Sequence, residues 1–183
     1  TVATVDYEAE AVPEGYTFVR LEIGGLLGGH SGDDIDKGRA NSNKLMARFL
    51  YNAIDKFGVA LAEFDGGNLR NAIPREAYAI VGVPAAEKED FEERYLEFGQ
   101  MMMEEFKHTE PRMRFAVSDV EVVPTKVMTN DELCYFLLAL VGLPNGILGM
   151  SFAMPGLVET SSNLASVKFD TENQEIKVTT SQR

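Results

Sequence analysis

Apolar and polar residues alternate along Thr17–Ile23 (TFVRLEI), the two-residue period of a half-buried strand. Further on, Leu45, Met46, Phe49, Leu50, Ile54 and Phe57 recur at helical spacing, which predicts a helix from about Asp36 to Lys56. Gly58 follows, where a left-handed helix cap suits glycine best. Val59–Phe64 reads as a strand, Asp65–Asn68 as a turn and Ala72–Val83 as a second strand, forming a hairpin or bulged pair. Pro74 is tolerable near the start of that second strand. Glu87–Lys107 reads as a long helix with an acidic first turn, and its Phe91, Tyr95, Phe98, Met102 and Phe106 recur every three or four residues. Met113–Val123 is a further strand, and Thr129 or Asn130 caps a helix over about Asp131–Val141. Leu157–Phe169 and Glu175–Thr180 read as strands flanking the turn Asp170–Asn173.

The order strand, helix, strand, strand occurs twice, with the long helix after the first set. It predicts an α+β fold: two βαββ-type halves, about residues 17–110 and 111–183, forming an antiparallel-rich sheet with helices packed on one face. No sequence repeat accompanies the element order, so residues 1–183 are expected to form one structural unit.

The formal net charge of -12 changes the picture in one respect: nothing offsets phosphate repulsion, which argues against a nucleic-acid partner. No apolar run is long enough to cross a membrane, and no signal peptide is evident. Cys134 is the only cysteine, lying in the apolar run Leu133–Leu138, where a buried structural thiol is expected. A lone thiol with no possible intrachain disulfide fits a cytoplasmic protein.

Candidate chemistry centres on Gly28-Gly29-His30-Ser31-Gly32. Glycines remove side-chain bulk around one imidazole and one hydroxyl, so the loop is either a substrate-facing site or a tight turn with polar residues in water. His30 with Asp33, Asp34 and Asp36 lacks a second histidine or cysteine pair, so no metal site is expected within the chain. Ser31 has no nucleophile-elbow context, and GGLLGG lacks both phosphate-binding spacings. His108 reads as a solvated helix-end residue. A second constellation, Gly66–Ala77, offers Asn71 as an amide donor to a carboxylate or oxyanion, or as a turn asparagine bonding its own backbone.

GGLLGGHSGDDIDKGRANSNKLMARFL, FDGGNLRNAIPREAYA and PNGILGMSFAMPGLVETSSNLASVK together resemble the lid domain of bacterial aminoacyl-histidine dipeptidases, the cytosol non-specific dipeptidase group of the M20 zinc peptidases. The matches run in consistent order from about Val19 to Arg183. The resemblance implies a lid inserted into a catalytic domain that holds zinc outside this chain, so the isolated chain is expected to be inactive. It implies that His30 stabilises the oxyanion of a dipeptide such as Xaa-His, that Asn71 holds the substrate, and that Arg183 binds its terminal carboxylate. Expected partners are the dipeptide, the parent's own catalytic domain and a second copy in a homodimer. The alternative is a non-catalytic dimerisation or interaction module, which an apolar edge strand or an exposed Met101–Met103 face would favour. A free-standing small-ligand binder is disfavoured by the order of the matches.

Overall fold

A computed structural model describes all residues, Thr1–Arg183. In chain order the elements are β1 (Val2–Asp6), β2 (Ala9–Ala11), β3 (Tyr16–Gly24), β4 (Gly29–His30), α1 (Ser42–Phe57), β5 (Ala60–Gly66), β6 (Ala72–Ile73) and β7 (Ala77–Pro84). They continue with α2 (Lys88–Glu105), β8 (Arg114–Asp119), β9 (Lys126–Met128), α3 (Asn130–Gly142), β10 (Gly146–Met150), β11 (Val158–Asp170) and β12 (Glu175–Gln182).

The main sheet runs β1-β12-β11-β5-β7-β3-β8, antiparallel throughout, with β10 added to β11. This is the expected α+β arrangement of an antiparallel sheet with three helices. The halves meet where β5 pairs β11 at Gly66 and Asp65. However, β8 lies at the far edge beside β3, so the strand that opens the second half crosses the first and interlocks the two.

Alternation in β3 and β7 sends Val19, Leu21, Ile23, Ala79, Val81 and Val83 to one face, under α1. The other face carries Arg20, Glu22, Glu63 and Tyr78, plus a small apolar cluster of Phe18, Ala60, Ala62 and Val127. Leu61 and Phe64 both join the main core although they are three residues apart in one strand. A bulge between Leu61 and Glu63 supplies the extra residue that shifts the phase. On the helical side Phe49 of α1 is the hub, its ring centroid 4.9 Å from Tyr95, 5.5 Å from Phe98 and 5.6 Å from Phe91. The expected apolar stripe of α2 is therefore buried, apart from the half-buried Phe106.

Several expectations need correction. The first helix starts at Ser42, not Asp36; Ile35–Lys37 form a single 3-10 turn that Gly38 ends in left-handed conformation (φ 65). Asn41 is the cap, its side chain accepting from Lys44 N–H at 3.2 Å. The strand expected over Ala72–Val83 is two strands, because Pro74 has no N–H to give a ladder and the chain changes sheets there. β5 runs on through Gly66, and Gly67 (φ 71) makes the turn. Cys134 is exposed: in α3 the buried stripe is Leu133, Leu137 and Leu140, and the next residue is turned about 100° away. Gly58 is the left-handed cap as expected (φ 60), its N–H donating to Ile54 O.

Candidate functional site

β4 and β6 form a separate two-stranded ribbon, with His30 opposite Ala72 and Gly29 opposite Ile73. Gly28 (φ 61) and Gly29 (φ 134) lead into it with backbone that side chains resist. The loop is then laced to itself. His30 N–H donates to Asp34 Oδ2 and Asp34 N–H returns to His30 O, both at 2.9 Å. Arg39 pairs with Asp34 at 3.5 Å and its guanidinium donates to Gly28 O. At the base, buried Glu110 accepts from Leu27 N–H at 2.7 Å and from Ala40 N–H at 3.0 Å, one carboxylate closing both ends of the segment. His108, two residues earlier, is exposed at the helix end.

The His30 ring is 49% exposed. Gly32 N–H donates to its Nδ1 at 3.1 Å, and an accepting Nδ1 leaves the ring proton on Nε2. Asp33 Oδ2 lies 3.4 Å from the same Nδ1 but is largely solvated, so the backbone donor sets the tautomer. In that tautomer the ring offers one N–H donor, at Nε2.

The structure brings the three sequence-identified residues to one end of the sheet. Ser31 N–H donates to Asn71 O at 2.8 Å, placing Asn71 beside the histidine loop with its exposed amide free of any bond within the chain. Arg183 exchanges two backbone bonds with Ser161, both 3.0 Å, and its Nη1 reaches Gly32 O at 3.4 Å. The same guanidinium lies 3.9 Å from Asp33 Oδ1.

Sequence reasoning missed what supports this end. Buried Asn163 donates to Ala72 O at 2.8 Å, fixing β6 against β11. Buried Asn41 donates to Asn163 Oδ1, Leu164 O and Asn145 Oδ1, at 3.3, 3.0 and 2.9 Å. Asn145 Oδ1 also accepts Leu164 N–H at 2.9 Å. Nothing in the spacing of isolated asparagines announces such a network; it exists only once distant segments meet. Glu110 was equally hidden, an acidic residue after a helix that looked solvated.

No group of three or more His, Cys, Asp or Glu side chains converges anywhere in the chain, and Asp34 is already committed to His30 N–H and Arg39. These residues do not fit a zinc ion. No helix is long and apolar enough to cross a membrane.

Residues 21–110 match the family model of the M20 peptidase dimerisation domain. The chain is 34% identical over 169 residues to the cytosol non-specific dipeptidase of Escherichia coli (strain K12), covering 92% of this chain and 35% of that protein. It superposes on the aminoacylhistidine dipeptidase of Vibrio alginolyticus with a TM-score of 0.94 and 34% identity, over 98% of this chain and 36% of the other. The chain thus spans about a third of the length of these relatives.

Proposed function

The chain belongs to the M20 peptidase family through its dimerisation domain, and from that premise we propose that it is the lid half of a dipeptidase active site. The observation that carries this reading is the Gly32 N–H to His30 Nδ1 bond, which leaves Nε2–H as the single ring donor on a half-exposed imidazole of a braced loop. Such a donor is suited to a charge that develops on a scissile carbonyl oxygen. Arg183, 65% exposed beside it, offers a guanidinium fork for the carboxylate end of a dipeptide. Its contact with Asp33 at 3.9 Å is solvated and easily exchanged for a substrate carboxylate. The uncommitted Asn71 amide, on a residue bonded to the neighbouring Ser31, can hold the substrate beside His30. The water-activating part of the reaction, with the zinc that the resemblance implies, would reside in the remaining two-thirds of a relative-sized peptidase.

Dipeptides are the substrate class, histidine-terminated ones among them, and the compartment is the cytoplasm; the relatives' names support both. Removing one donor of this kind typically costs about 2.7–4 kcal/mol of barrier. In the full-length peptidase, His30→Ala should therefore lower kcat roughly 100- to 1,000-fold with the fold intact, while Arg183→Ala mainly raises KM. Near-normal turnover of His30→Ala would sink the assignment.

Self-association is a second reading, favoured by a different surface. The groove between α3 and β1/β12, about 660 Å³, is lined mostly by apolar residues, and α3 leaves Tyr135, Leu138 and Val141 exposed on its outer side. Met101 and Met103 are exposed but Met102 is buried, so they form no continuous face.

A further inference from the structure

The last rungs between β11 and β12 are Ser162 with Gln182 and the paired Ser161 and Arg183. Val158, Glu159 and Thr160 continue past them, paired only with β10, and Ser151–Leu157 close the hairpin. An arm, Gly146–Ser161, thus overhangs the end of the sheet by about 10 Å of strand, at ~3.3 Å per residue, plus its loop. This is the end that holds His30. Ile147 pairs with Ser161, Ser161 with Arg183, and Arg183 reaches Gly32.

The arm is built unlike the rest of the surface. One charged residue, Glu159, occurs in it, in a chain that is 25% charged. Ile147, Leu148, Met150, Phe152, Met154 and Leu157 are exposed, Phe152 completely. β10 is a free edge with neither charge nor proline, whereas the edge strands β1 and β8 carry Asp6, Arg114 and Asp119. Uncharged apolar edges pair or aggregate unless something covers them.

We propose that this arm is the docking surface for the rest of the same peptidase chain: an apolar recess on the catalytic domain takes Phe152 and Met154 when the two parts close. The inference rests on the lid reading above. A domain that delivers a carbonyl to His30 Nε2 must approach this end of the sheet, and the arm stands beside that approach. Relatives are about three times as long as this chain, so the covering mass exists in them. Closing on the arm also removes water from the face where the Nε2 donor acts.

The test uses the full-length peptidase and its Phe152→Ser/Met154→Ser double variant. Hydrogen exchange over 146–161 is followed with and without a non-hydrolysable dipeptide analogue, alongside steady-state kinetics and solution mass. The expected result is that the analogue slows arm exchange tenfold or more in the parent and not in the variant. The variant's kcat/KM should fall roughly tenfold or more, with an unchanged melting temperature because both side chains are exposed. Equal protection and equal kcat/KM in the two proteins overturn the proposal. So does conversion of a dimer to monomers with turnover per subunit unchanged, which would assign the arm to a second copy. A crippled His30→Ala beside a silent double variant removes this inference alone; an active His30→Ala removes the lid reading itself.

Discussion

Replacing Glu110 by alanine removes the one group that ties Leu27 to Ala40. The carboxylate is 2% exposed and accepts two backbone N–H groups, at 2.7 and 3.0 Å. Hydrogen bonds to a charged acceptor contribute about 1.5–3 kcal/mol each, and both donors would be left without their partner. Against this stands the desolvation that the buried carboxylate no longer suffers, together with whatever water enters the polar hole. The balance is a loss of about 3 kcal/mol, or ~6–12 °C in melting temperature for a domain this size. Glu110→Gln keeps one acceptor oxygen and should lose about half as much. Thermal denaturation reads the global cost, and amide exchange at Leu27 and Ala40 reads the local one. The exchange should accelerate more at these two amides than in β3 or β7, since the base of the His30 loop opens first. A melting temperature within about 2 °C of the parent, with both amides still protected, would show that the carboxylate is not the tie.

Two further outcomes follow from groups away from the site. Tyr78, half-buried and donating to Glu63 at 2.5 Å, has its phenol pushed up to about 12 by partial burial first and by Glu63 second. The folded phenol keeps its proton where an unfolded one, at 10.0, has lost it. This contribution to stability is therefore full below pH 10 and declines as pH rises toward 12; ultraviolet titration of the parent against Tyr78→Phe checks the midpoint, and one near 10 would contradict the burial argument. Cys134 should react with a thiol reagent stoichiometrically under native conditions, because it lies exposed beside the buried stripe of α3; a thiol that reacts only after denaturation would refute that placement.

Long periodic segments were legible in the sequence. The apolar stripe of α2, the alternation of β3 and the Gly58 cap all appear where periodicity and glycine chemistry put them. What periodicity cannot carry is partnership. β1 is exposed along its whole length and has no buried face to announce it; only β12 makes it a strand. The split of the segment 72–83 depends on which strand each piece finds, with β6 on β4 and β7 on β3. At the site the glycines marked the loop and the family resemblance marked His30, Asn71 and Arg183, but the residues that brace them were not visible. Glu110 and the asparagines 41, 145 and 163 draw their meaning from backbone and side-chain groups scores of residues away.

The sheet begins and ends on the same clasp. Val2–Asp6 pair with residues 175–179, and Thr1 and Thr180 exchange bonds at 2.8 and 2.9 Å. Arg183 reaches back 151 residues to the histidine loop. Closing contacts of such long sequence separation costs chain entropy that local helices never meet, so they form late. On a ribosome β1 must wait for β12, and until residues 175–183 emerge the three candidate site residues cannot share one sheet end. Assembly of the candidate site thus reports that β1 and β12 have paired.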